Sequence, residues 1–161
     1  MSASTSSTRK PAAWLSLLPF LAAVAAVSIL GGLAASGSSQ TYRSLELPPF
    51  APPSWLFGPV WTVLYVMIGV AGWLVWRAAG AGPGLWAWIV QLLLNLAWTP
   101  LFFASDRYGW ALVDIVVLWV AVLVTMVLAW PVSRSAAWLL APYLAWVGYA
   151  TALNAGIVVL N

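Results

Sequence analysis

Three pairs of side chains, each spaced one helical turn apart, carry much of the chemistry this sequence offers. Gln91 and Asn95 stand four residues apart, with Trp88 and Trp98 three residues to either side. On a helix that spacing sets both amides on one face. Trp61 and Tyr65 repeat the interval, and Trp110 precedes Asp114 by the same step. Trp146, Thr151 and Asn154 follow on a last apolar stretch, with Tyr143 and Tyr149 close by. Amides, one carboxylate and several indoles can stack the face of a flat apolar molecule and hold its polar edge. They can equally tie helices together, since such contacts in membrane bundles average about 0.6 kcal/mol. The chain has no His and no Cys, so the usual general base, the thiolate nucleophile and the commonest metal ligands are missing. No metal site and no required cofactor are expected.

Composition dictates the framework that must position these groups. Hydrophobic residues make up 64% of the chain and charged residues 6%, against about 25% charged in an average soluble domain. The charges divide the sequence into five apolar segments, about 12–36, 55–76, 84–105, 110–130 and 135–159. Each has about 20 residues or more, enough at 1.5 Å per residue to cross a hydrocarbon core of roughly 30 Å. Such segments must be helical, because lipid offers the backbone no partners, and the alternation of barrel strands is absent. The expected fold is an all-α integral membrane bundle of five transmembrane helices over 12–161, behind a disordered Ser/Thr-rich tail at 1–11. The first apolar run, at about 24 residues, exceeds the 7–15 of a signal peptide. Eight of the thirteen tryptophans fall near segment ends, as in an interfacial aromatic belt.

Arg9, Lys10, Arg77 and Arg134 would fall on one side of the membrane and Arg43 and Arg107 on the other. By the positive-inside rule the N-terminus is cytoplasmic in a bacterial cell membrane. The basic residues are scattered singly, so no nucleic-acid partner is expected. Residues 37–54 form the one long connection and contain four prolines. A lid over the bundle is expected there, formed by Phe50, Pro52 and Pro53, with Phe50 and Tyr42 as anchors. The glycines at 31, 32, 69, 72, 148 and 156 permit close approach of helices or of a ligand.

From the second segment onward the sequence resembles a known family. The stretch Pro52-Pro53-Ser54-Trp55-Leu56-Phe57-Gly58-Pro59-Val60-Trp61-Thr62-Val63-Leu64-Tyr65 carries the resemblance first. Gln91 to Phe103, Gly109 to Asp114, Pro142 to Trp146 and Ala150 to Asn154 continue it in order. These motifs are similar to the TspO/MBR family, the tryptophan-rich sensory proteins whose animal members are the translocator proteins. The resemblance implies a membrane receptor or sensor, commonly a homodimer, whose pocket binds tetrapyrroles such as protoporphyrin IX and haem, and related flat apolar ligands. Carried over by motif, the pocket would include Trp61, Tyr65, Asn95, Trp98, Trp110, Asp114, Trp146, Ala150, Leu153 and Asn154. It also implies two alternatives. One is light- and oxygen-dependent porphyrin degradation, with Trp61 and Trp146 as candidate catalytic groups; the other is facilitated transport of porphyrins or other amphipathic molecules. Two departures stand out. Phe50 occupies a place where many relatives carry Trp, and no basic residue follows Tyr149 to complete the proposed cholesterol pattern. Without His or Cys, recognition by stacking and shape is expected to suit metal-free porphyrin at least as well as haem. Asn95, Arg43 or Arg107 are the expected partners of a ligand carboxylate.

Overall fold

The structure, a computed structural model, describes residues 13–36 and 38–161. The expected tail at 1–11 lies outside the described residues. Six α-helices follow one another: α1 (Leu18–Ala34), α2 (Ser38–Ser44), α3 (Phe57–Ala79), α4 (Pro83–Thr99), α5 (Tyr108–Ala129) and α6 (Arg134–Leu160). With their flanking turns, all but α2 belong to five spans long and apolar enough to cross a bilayer. The expected five-helix membrane bundle is therefore the observed architecture.

Local chemistry sets the helix ends. α4 begins on Pro83, whose fixed φ and missing N–H suit a first helical position. α3 stops at Gly80, whose φ of 66° is open to glycine and strained for other residues. Ser133 caps α6, its hydroxyl accepting from the Ala136 N–H at 3.3 Å. Pro100 cannot continue the α-helical ladder, and α4 passes into a wide π-helical turn, Pro100–Ala104.

Each long helix packs on the next in the spatial order α1, α3, α6, α5, α4 and back to α1. The ring therefore closes. Small residues let it do so, since lipid is as apolar as leucine and close packing must supply the attraction. Gly69 of α3 receives Leu21 and Val24 of α1, and Gly72 receives the indole of Trp88 across from α4. Outward, α5 exposes Val113, Val116, Val117, Val120, Val124 and Val127. Inward, the bundle buries Gln91, Asn95, Thr125 and Asn154. An apolar exterior around a partly polar interior matches a lipid solvent. Arg77 and Arg134 stack on Trp73 and Trp130, 4.7 and 5.6 Å from the ring centres. Both helix ends are thereby suited to the membrane interface.

The connection at 37–54 is more ordered than a bare loop. It contains α2, and it leads into a 3-10 turn at Ser54–Leu56. Between the two, the chain lies against α6 as a strap. Pro48 sits on Gly156, Tyr149 donates its hydroxyl to the Phe50 carbonyl at 2.7 Å, and Phe50 packs on the Tyr149 ring. The Glu46 N–H donates to Asn161 Oδ1 at 3.0 Å, while Asn161 Nδ2 donates back to the Glu46 carbonyl at 3.1 Å.

Candidate ligand cavity

A cavity of about 520 Å³ opens inside the half of the bundle nearest the strap. That volume lies within the range of small-molecule sites, roughly 300–1,000 Å³. α3 supplies Phe57, Gly58, Trp61, Thr62 and Tyr65, and α4 supplies Asn95, Trp98 and Thr99. Ser28, Gly31 and Gly32 enter from α1 and Ala35 from its C-cap, Ile115 and Leu118 from α5, and Val147 and Ala150 from α6. Tyr42, Ser54, Trp55 and Phe103 complete the lining, which contains no charged side chain among the described residues.

A hydrogen-bonded array fixes the wall. The Tyr65 hydroxyl donates to Asn95 Oδ1 at 2.8 Å, and Asn95 Nδ2 donates to the Tyr143 hydroxyl at 3.0 Å. One amide therefore joins α3, α4 and α6. Above it the Trp61 ring lies 5.4 Å from Tyr65 and meets Tyr143 nearly edge-on at 6.2 Å. One turn along α4, Trp98 Nε1 donates to Asn154 Oδ1 at 3.2 Å, and Asn154 Nδ2 donates to the Tyr108 carbonyl at 3.0 Å. Both tie points are buried, where an unmade hydrogen bond costs about 1–3 kcal/mol. The strap enters the site through Tyr42, whose hydroxyl donates to the Pro52 carbonyl at 3.0 Å while its ring meets Phe57. Burial pushes the Tyr42 phenol above its ordinary value, so it remains a donor at physiological pH.

A profile of the TspO/MBR family matches residues 9–160 of this chain. The chain belongs to the TspO/MBR family. The tryptophan-rich protein TspO of Archaeoglobus fulgidus is 39% identical over 91% of this chain and 97% of its own length. The translocator protein of Homo sapiens is 38% identical over 88% of this chain and 87% of its own. A tryptophan-rich sensory protein from Cereibacter sphaeroides is 36% identical, with 92% of each chain covered. The five spans and these relatives make the chain an integral, multi-pass membrane protein of that family.

Within this family member the cavity brings together five of the residues singled out from sequence: Trp61, Tyr65, Asn95, Trp98 and Ala150. Five others stand apart from it. Asn154 and Leu153 are buried behind Trp98 and the strap. Trp146 packs on Phe57 and Tyr149 with its Nε1 buried and without a hydrogen-bond partner, and Asp114 Oδ2 is likewise buried and unpartnered. Trp110 faces outward, 64% exposed, beside a shallow hollow that includes Arg107. The register of α5 explains this. Its buried face runs Ala111, Ile115, Leu118 and Val122, and Trp110 precedes that face by one residue, about 100° around the helix. Phe50, Pro52 and Pro53 belong to the strap and do not line the cavity; Tyr42 and Trp55 are its aromatic contributions. Arg43 and Arg107 are absent from the lining. Sequence reasoning missed Ser28 and Ala35, although with Gly31 and Gly32 they form an i, i+3, i+4, i+7 row that marks one helix face.

Proposed function

We propose that this chain is a membrane receptor that binds a tetrapyrrole, with protoporphyrin IX as the type ligand, in the cavity beneath the strap. The observation that carries the reading is an uncharged, aromatic-walled cavity inside a membrane bundle, with Trp61, Tyr65 and Trp98 presenting ring surface to one space. Flat macrocycles gain from stacking on such walls, and shape supplies most of the selection. The sensory name carried by the Cereibacter sphaeroides relative supports a signalling role.

The polar array refines the ligand. The Asn95 amide bonds two tyrosines, and the Tyr65 hydroxyl gives its proton to Asn95, so the array offers a ligand one further amide N–H and no cation. With no His or Cys in the chain, metal-free porphyrin binds at least as well as haem. The propionates remain at the rim, because the described residues of the lining offer them no cation. Titration of the purified protein with protoporphyrin IX in the dark, followed by indole fluorescence, tests this. Saturable quenching that weakens in Trp61→Phe is the expected result; quenching that never saturates, or is identical in the variant, would overturn the assignment.

A further inference from the structure

α1 meets α3 at one end of the bundle and α4 at the other. Near its start, Leu21 and Val24 come within 3.1 and 3.2 Å of where a Cβ on Gly69 would stand, and Ser16 accepts from Trp73 Nε1 at 2.9 Å. Near its end, Gly31 lies instead against Thr99 of α4, with 3.5 Å from its Cβ position to Oγ1. α1 therefore leans away from α3 as it approaches its C-terminus. Where the two part, Ser28 and Gly32 of α1 and Gly58 and Thr62 of α3 line the cavity and are themselves exposed. A Cβ on Gly32 or Gly58 would meet nothing within 4 Å. These residues border an opening.

The opening faces hydrocarbon. Thr62 lies about 8 Å along α3 from its first residue, and Ser28 about 9 Å from the last residue of α1, at 1.5 Å per residue. Both depths fall within the apolar stretches that cross the bilayer. The Thr62 hydroxyl donates to the Gly58 carbonyl at 2.9 Å, so it is satisfied within its own helix without water. Over the other approach, the strap is pinned to α6 through Asn161 and Tyr149 and held from below by Tyr42.

We propose that ligand reaches the cavity sideways from the bilayer, through the slot between the C-terminal half of α1 and the N-terminal half of α3. This rests on the cavity being the ligand site. The ligand class follows: flat, amphipathic molecules that dissolve in acyl chains and keep a polar edge at the interface. Molecules confined to water should load slowly however well they fit. The strap then acts as a wall, and opening it is not required for exchange.

The test uses the whole protein in lipid vesicles. Gly32→Phe and Gly58→Phe place a ring in open space, so the bundle keeps its packing while the slot is filled. With protoporphyrin IX dissolved in the vesicles, in the dark, both variants should slow association and dissociation together, each about tenfold. Loosening the strap with Tyr149→Phe should leave both rates near wild type. Plugged variants with wild-type rates, or a strap variant that exchanges much faster, would overturn the proposal. A second measurement needs no porphyrin and so separates this proposal from the choice of ligand. The chain has no cysteine, so Ala150→Cys carries a single bimane fluorophore into the cavity. Lipids brominated on their acyl chains should quench it, aqueous iodide should not, and Gly32→Phe should remove the lipid effect. Quenching by iodide alone would refute lateral access even if porphyrin binds.

Discussion

Gly72 is the position where adding one methyl group should cost most. A Cβ there would stand 2.3 Å from Trp88 Cε2 and 2.6 Å from Nε1, about 1 Å short of ordinary contact. The indole cannot simply swing away. Its Nε1 donates to the Ile68 carbonyl at 2.9 Å, its ring packs on Phe20 with centres 5.4 Å apart, and the residue is 4% exposed. Overpacking of this kind costs about 1–3 kcal/mol, and a displaced indole adds roughly 0.5–1.5 kcal/mol for its lost hydrogen bond. Against that, alanine is favoured over glycine inside a helix by about 1 kcal/mol. The net expectation for Gly72→Ala is destabilisation of about 2 kcal/mol.

A double-mutant cycle checks the cause, not merely the sign. Trp88→Phe removes the indole edge that collides, so Gly72→Ala in that background should be neutral or stabilising, with a coupling above about 1.5 kcal/mol. Unfolding of the detergent-purified protein, followed by far-UV circular dichroism, gives all four corners. Gly32→Ala is the control, because its Cβ meets open space. If Gly72→Ala is as stable as wild type, or costs the same in both backgrounds, the seat of Trp88 on Gly72 does not hold α3 to α4.

The remaining expectations concern the cavity and its strap. Asn95→Leu leaves the fully buried Tyr143 hydroxyl without its donor and Tyr65 without its acceptor. It should destabilise the bundle by about 1–3 kcal/mol, and adding Tyr143→Phe should recover part of that loss in the same unfolding assay. Tyr149→Phe removes the bond to the Phe50 carbonyl, worth about 1 kcal/mol, and limited proteolysis should then cut residues 45–53 faster than in wild type. Trp110→Ala should leave the protoporphyrin affinity unchanged, because that ring lies outside the cavity; a large rise in the dissociation constant in the fluorescence titration would contradict the geometry.

The spans were legible because hydropathy alone decides them: a run such as Tyr108–Ala129, with one acid among apolar residues, has no other stable conformation in lipid. The aromatic wall was half legible. Trp61, Tyr65, Asn95 and Trp98 could be read because their spacing puts each pair on one helix face, and those faces turn inward. Trp110 could not be placed correctly, because its motif fixes its neighbours in sequence while helix register fixes its direction, and one residue of register is 100°. The contribution of α1 was hidden for a different reason. Ser28, Gly31, Gly32 and Ala35 matter for the side chains they lack, and a row of small residues reads as helix packing until the neighbouring helix is seen to lean away.

The two asparagines show how a membrane interior changes the meaning of a polar residue. From sequence, Asn95 among tryptophans reads as a handle for a ligand. In the fold its amide accepts from one tyrosine and donates to another, and Asn154 does the same between an indole and a backbone carbonyl. Lipid leaves such groups no alternative partner, so these two amides are engaged with the protein before any ligand arrives, while Gln91 and Asp114 Oδ2 stay buried without a partner. What remains on the cavity surface is ring faces, small side chains and a few hydroxyls. A site built this way recognises shape and stacking area. Its selectivity among flat molecules should therefore follow their fit and their partition into the bilayer more closely than their hydrogen-bonding pattern.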